Sequence, residues 1–239
     1  MAKLHHEWKV LPHGPVETVD ERIVTVEGEI PMPLGKFPRR MTVVGLSRNR
    51  SAVFSAIPLD EAGMKRIEEV GRPAFLIVPN AHHRLDAPAW KKRYPRLKVV
   101  CPPGAKKAVT EAVPVDSTED ILRDGETDFV IVEGTGAAEA ALVVRRKGGA
   151  TLIVNDVVAN VRHPHGLGAK IMARLFGFGV HRPQVPRVVK RAMVEDEKQL
   201  AAQLISWSKI PGLQRLIPSH GEIIDGPGPA LRRIGRSMA

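Results

Sequence analysis

Cysteine is all but absent from this chain: Cys101 is the only one among 239 residues. A single thiol excludes an internal disulfide framework and points to a reducing compartment, with the cytoplasm as the expected location. Aromatic residues are scarce as well, at 4%. Without basic–aromatic alternation there is no stacking platform for bases, so nucleic acid is not an expected partner. No apolar run approaches the roughly 18–20 residues that a membrane-spanning helix requires. Met1–Glu7 carry neither the apolar stretch nor the small-residue cleavage site of a secretory signal. No G-x-G-x-x-G follows a strand-like run and no Walker A sequence occurs, which removes nucleotide binding through either motif.

Acidic residues are missing from one long stretch. Between Asp156 and Glu195 there is none, while Arg162, Lys170, Arg174, Arg182, Arg187, Lys190 and Arg191 all fall there. The whole chain carries a net charge of +10. Such a balance favours anionic partners: a small anionic molecule, or an anionic membrane surface. Ala169–Phe178 combines apolar and cationic faces and is suited to lie on a membrane, to cover a pocket as a lid, or simply to pack as a helix. The apolar residues around Phe176-Gly177-Phe178 would suit self-association into a homo-oligomer. With 43% hydrophobic residues the chain can build a sizeable core. A single domain over residues 1–239 is expected, with a basic helical insertion at about 157–194.

The first third reads as strands: Arg22–Gly28, Met41–Leu46 and Ser51–Ile57, the last two joined by a turn at Arg48-Asn49-Arg50. Pro31–Pro38 holds too much proline for regular structure and is expected to be a loop. Asp60 is placed to cap a helix carrying Met64, Ile67 and Val70. Strands and helices then alternate: strand Ala74–Val78, helix Ala87–Tyr94, strand Leu97–Cys101, and a helix from Pro102-Pro103-Gly104 through Val109. Asp128–Val132, Ala140–Val144 and Thr151–Val154 form a second set of strands, followed by an amphipathic helix Glu195–Trp207 and strand Arg215–Ile217. Gly228–Ala239 is a basic helix or a frayed end. The class is α/β.

Three apolar strands end in polar clusters. Phe75–Pro79 runs into Asn80-Ala81-His82-His83-Arg84-Leu85-Asp86, Thr151–Val154 into Asn155-Asp156, and Leu216–Pro218 into Ser219-His220-Gly221-Glu222. Strand ends that converge on one rim are where α/β proteins bind ligands and metals. His82, His83, Asp156 and His220 supply nitrogen and oxygen donors of the kind that zinc, manganese or iron accepts. Taken one at a time, the histidine pair also suits a surface loop, Asp156 a cap and His220 a turn.

The strand order, the loop Val78-Pro79-Asn80-Ala81-His82-His83, the strand ending in Asn155-Asp156 and the late Ser219-His220-Gly221 resemble the metallo-β-lactamase fold superfamily. Thr42-Val43-Val44 and Trp90 point to a branch of it with a degenerate metal-binding motif, and the resemblance runs from about Glu21 to Ile224. It implies a four-layer αββα sandwich of two mixed β-sheets flanked by helices, with metal along one edge. It also implies that water activated there attacks an ester, amide, thioester or phosphodiester.

The chain departs from the family where ligands are concentrated. The signature His-x-His-x-Asp-His reads Asn80-Ala81-His82-His83-Arg84-Leu85, with only His82 in register. Ser55-Ala56 stands where the family has an aspartate, and near Gly134-Thr135-Gly136 only Glu139 replaces a histidine. What the resemblance leaves is His82, Asp156 and His220 as metal ligands, with His83, Glu139 and Asp86 as further donors, and Asp156 and His82 in catalytic roles. Asn80, Arg84 and Asn155 would touch substrate. Three ligands suffice for a catalytic single-metal site but not for a two-metal one. A guanidinium at position 84 beside a dication is costly unless an anion lies between them. Two arrangements meet that condition. Either one divalent metal shares an anionic substrate with Arg84 in a mononuclear hydrolase, or no metal binds and the pocket takes an anion without catalysis.

Overall fold

β-Branched and apolar runs build two mixed β-sheets, one in each of two compact units. The computed structural model describes residues 4–32, 35–163, 174 and 177–239. The first unit comprises Met1–Ile30 and Arg39–Asp128, the second Pro31–Pro38 and Phe129–Ala239. Most of the basic patch expected to be helical (Ile171, Met172, Leu175, Phe176), and the Ala169–Phe178 face proposed for a membrane or lid, lies outside the described residues.

The first sheet has the order β1 (Glu17–Asp20), β2 (Ile23–Met32), β3 (Gly35–Leu46), β4 (Arg50–Phe54), β5 (Arg72–Ile77) and β6 (Lys98–Val100). β3 and β4 form the expected hairpin, with Arg48 and Asn49 in left-handed conformation at its turn. The β4–β5 and β5–β6 pairs are parallel, so each needs a helical crossover. Helix α1 (Glu61–Val70) makes the first one. Asp60 caps it by accepting from the Gly63 N–H at 2.7 Å, and Met64 and Ile67, one turn apart, are its buried face. Helix α2 (Ala87–Arg93) makes the second and buries Trp90 completely. A 3₁₀ turn (Pro103–Ala105) leads into α3 (Lys106–Thr110).

The described residues of the proline-rich stretch are strand rather than loop. Strands β2 and β3 run through Pro31 and Pro38. Glu29 N–H bonds outward to Pro12 O at 3.3 Å, and Pro31, two residues on, points its nitrogen to the same side. A nitrogen without hydrogen costs a strand nothing where no partner strand continues.

Cys101 follows β6 and is fully buried. Burial pushes its thiol up to about 11, against a smaller opposing pull from Lys106. The thiolate is the nucleophile, so native protein at neutral pH is expected to resist iodoacetamide over hours and to label fully in denaturant. Rapid labelling of the native chain would contradict this placement.

The second sheet has the order β11 (Ile224–Asp225), β10 (Leu213–Pro218), β9 (Gly149–Val154), β8 (Ala140–Arg146) and β7 (Thr127–Ile131). β8 and β9 are a hairpin with Lys147-Gly148 at the tip, while β9 and β10 are parallel. Their crossover includes α4 (Arg187–Met193) and α5 (Glu197–Trp207). Asp196 caps α5 by accepting from Lys198 and Gln199, and Leu200, Ala201, Leu204 and Trp207 form its buried stripe. The tail is helix α6 (Gly228–Arg236), amphipathic rather than frayed, with Leu231 and Ile234 inward. Each unit closes its own core, around Trp90 and Leu76 in the first and Leu152, Leu204 and Leu216 in the second. Among the described residues no helix is long and apolar enough to cross a membrane.

Candidate functional site

Parallel neighbours send their chains out of the sheet at the same end. In the first unit β4 and β5 are such a pair, so Ser55 and the Val78–Asp86 loop emerge side by side, and Ser55 N–H bonds to Ile77 O at 3.2 Å. Asn80 is fully buried, and its side-chain carbonyl accepts the N–H groups of His82 (2.8 Å) and His83 (3.2 Å). It therefore folds the loop rather than presenting itself to a substrate. This turn leaves His82 exposed and His83 half-buried, with His83 Nδ1 at 2.7 Å from Ser55 Oγ. Ser55 has a left-handed backbone (φ 56°), which is unusual for a residue with a side chain.

Arg84 does not stand open to an anion. Its Nη1 donates to the Ala108 carbonyl and, at 2.8 Å, to Glu111 Oε2. Asp86 is not a spare metal donor either: buried, it accepts from Arg39 Nη1, and His5 Nδ1 lies 2.7 Å from its other oxygen. A small cavity of about 30 Å³ opens beside this loop, lined by Arg39, Ser55, His82, His83 and Asp86.

In the second unit β9 and β10 are the parallel pair. Their register sets Pro218 opposite Val154, and Ser219 N–H bonds to Val154 O at 3.0 Å. The next residues along each strand are brought together: His220 Nε2 lies 2.9 Å from Asp156 Oδ1, with both side chains over 90% buried. Gly221 turns the chain immediately afterwards at φ 97°. A Cβ there would sit 2.2 Å from Asn160 O, so only glycine fits.

The other ring nitrogen of His220 decides the chemistry. Nδ1 is 2.7 Å from Pro38 O, and a carbonyl only accepts, so Nδ1 carries the proton. In a neutral ring Nε2 then has a lone pair, which would face the carboxylate of Asp156. Such a contact is repulsive unless a proton or a cation lies between them. A histidine whose far nitrogen donates to a backbone carbonyl is the usual arrangement of a metal-bound imidazole. The donor set therefore fits a divalent ion. Phe37 (ring centre 4.8 Å away) and Phe178 (6.0 Å) pack on the imidazole. Phe178 is thus part of a wall over the ring.

Glu139 is fully buried, and one of its carboxylate oxygens is engaged with the main chain. Its Oε1 accepts the backbone N–H groups of Asp156 (2.6 Å) and Val157 (3.1 Å), which fixes the turn after β9. Asn155 is fully buried too, and neither atom of its amide has a hydrogen-bond partner among the described residues.

No family model and no curated protein matches the sequence. Solved structures do match. The crystal structure of DIM-1 metallo-β-lactamase exposed to ceftazidime aligns at a TM-score of 0.63 with 14% identity, covering 97% of this chain and all of that one. The chain has the metallo-β-lactamase fold. FIM-1 metallo-β-lactamase from Pseudomonas aeruginosa, in its mono-zinc form, aligns at 0.60 with 11% identity over 94% of this chain and 96% of that one. A metallo-β-lactamase from Hirschia baltica gives 0.59 with 10% identity over 94% and 98%. At such identities the metallo-β-lactamase likeness carries the fold and nothing finer. The α/β class expected for that fold holds, with two mixed sheets and six helices among the described residues.

Four contributors went unread in the sequence: Ser55, the Pro38 carbonyl, the Phe37–Phe178 wall and Arg39. Only Ser55 left a signal, by standing where the resemblance puts an aspartate.

Proposed function

We propose that this protein is a metal-dependent hydrolase with a single-metal centre that acts on a small anionic substrate. The observation that carries the reading is the 2.9 Å approach of His220 Nε2 to Asp156 Oδ1 with Nδ1 held on Pro38 O, a nitrogen–oxygen pair that a divalent cation would suit. Asp156 supplies the negative charge that retains the ion and His220 its Nε2. For a third donor the sequence pattern nominates the histidine pair, His82 and His83. Of the two, His83 has its Nδ1 fixed by Ser55, while His82 is exposed and suited to exchange a proton with substrate or solvent. The metal, when bound, acts as a Lewis acid that makes water nucleophilic at neutral pH.

The chain's own residues set the conditions. Glu139 holds the Asp156 turn, Pro38 fixes the tautomer of His220, and Phe37 and Phe178 keep water from the ring. Zinc, manganese and iron all accept this donor set. Metal analysis of protein purified without added metal or chelator tests the reading, with about one equivalent expected for a three-ligand site. No bound metal, even after incubation with each of the three ions, would contradict it. That result would replace the hydrolase with a metal-free anion-binding protein.

A further inference from the structure

The sequence suggested Arg84 as the residue that meets an anion, but the structure occupies Arg84 with Glu111. Another guanidinium nearby is in the opposite condition. Arg39, on β3, is 5% exposed and gives Nη1 to Asp86. Its Nε and Nη2 are buried and have no hydrogen-bond partner among the described residues. Those two nitrogens share the edge of the guanidinium that presents parallel N–H bonds, the edge that grips a carboxylate with both oxygens. Leaving such donors unmet in the interior is costly. Arg39 also lines the cavity of about 30 Å³ beside His82 and His83. Such a volume admits a small terminal group and not a whole metabolite.

We propose that Arg39 is an anion-recognition residue whose Nε and Nη2 hold a carboxylate group in this cavity, with the rest of the ligand extending outward past His82. The match is one of shape and charge. The fork offers two parallel donors and the carboxylate two coplanar acceptors. The chain as a whole, at +10, draws anions to its surface. Asp86 neutralises the guanidinium from its far side and holds its plane, so the recognising edge is set before the ligand arrives. This proposal stands on the first unit alone and does not depend on a metal.

Formate, the smallest carboxylate, is the probe, and the protein is the full chain treated with EDTA so that metal has no part in the outcome. Crystals grown without halide or carboxylate are soaked in sodium bromide and then back-soaked in sodium formate. The expected result is an anomalous bromide peak within hydrogen-bonding distance of Arg39 Nε and Nη2, replaced by planar density after the second soak. In solution, formate at constant ionic strength raises the melting temperature of the unmutated protein and of Arg84→Lys equally. Arg39→Lys keeps the charge but loses the fork, and its formate affinity falls by about tenfold, the equivalent of one charge-assisted hydrogen bond. Water alone in the cavity after both soaks overturns the proposal, as does an undiminished response in Arg39→Lys. If Arg39→Lys does not fold, the crystals of the unmutated chain decide.

Discussion

His220→Ala should weaken divalent-metal binding by about 100-fold or more. Losing a group that merely orients a ligand already costs 10–100-fold, and this variant removes the ligand itself. Competition against a chromophoric chelator reads the change directly. Nitrogen NMR of the imidazole should show a change at Nε2 on metal uptake, while Nδ1 keeps its hydrogen, bonded to Pro38. Equal metal affinity in the unmutated and His220→Ala proteins would show that the ion sits elsewhere. Uptake with no change at Nε2 would show the same.

Glu139→Ala should be the more damaging change to the fold. It removes a buried acceptor from two backbone N–H groups and leaves a void. Each orphaned buried donor costs about 1–3 kcal/mol, so a loss of about 2–5 kcal/mol is expected in urea unfolding. Glu139→Gln keeps one carbonyl oxygen and should recover much of that. The functional effect runs through Asp156, whose own N–H is one of the two donors. Metal affinity should therefore fall in Glu139→Ala although Glu139 need not touch the ion. If Glu139→Ala unfolds at the same urea concentration as the unmutated chain, the turn after β9 is held by something else. If it is destabilised yet binds metal as before, the carboxylate supports the fold alone.

Much of this arrangement could be read from residue order, because strands end where apolar runs end. Val78, Val154 and Pro218 close their runs, and polar residues follow each of them. What the runs could not reveal was which strands are neighbours. Asp156 and His220 meet because β9 pairs in parallel with β10, and the 60 or so residues between those strands contain no local sign of it. Nor could alignment to a motif weigh His82 against His83. That depends on Asn80 bending its side chain back onto the loop, a contact that spacing alone does not distinguish from an exposed amide. The ion pair of Arg84 is hidden from the sequence for a related reason. Its partner Glu111 is 27 residues away, at the end of a short helix. Propensity alone makes Pro31 and Pro38 loop residues, whereas both lie in strands.

The bond from His220 to Pro38 spans 182 residues of sequence, and its acceptor is a main-chain oxygen. Every residue type has that oxygen, so no single side-chain replacement at position 38 can delete the group that selects the tautomer. The histidine's readiness to coordinate is thereby insulated from point mutation, whereas the ligands around it are not. A lineage could lose members of its metal set one by one and still keep this imidazole oriented as it is. Only an insertion or deletion that shifts the β2–β3 ribbon would undo it. Change in the side chains around the ring and preservation of the ring's orientation are, for this chain, separable.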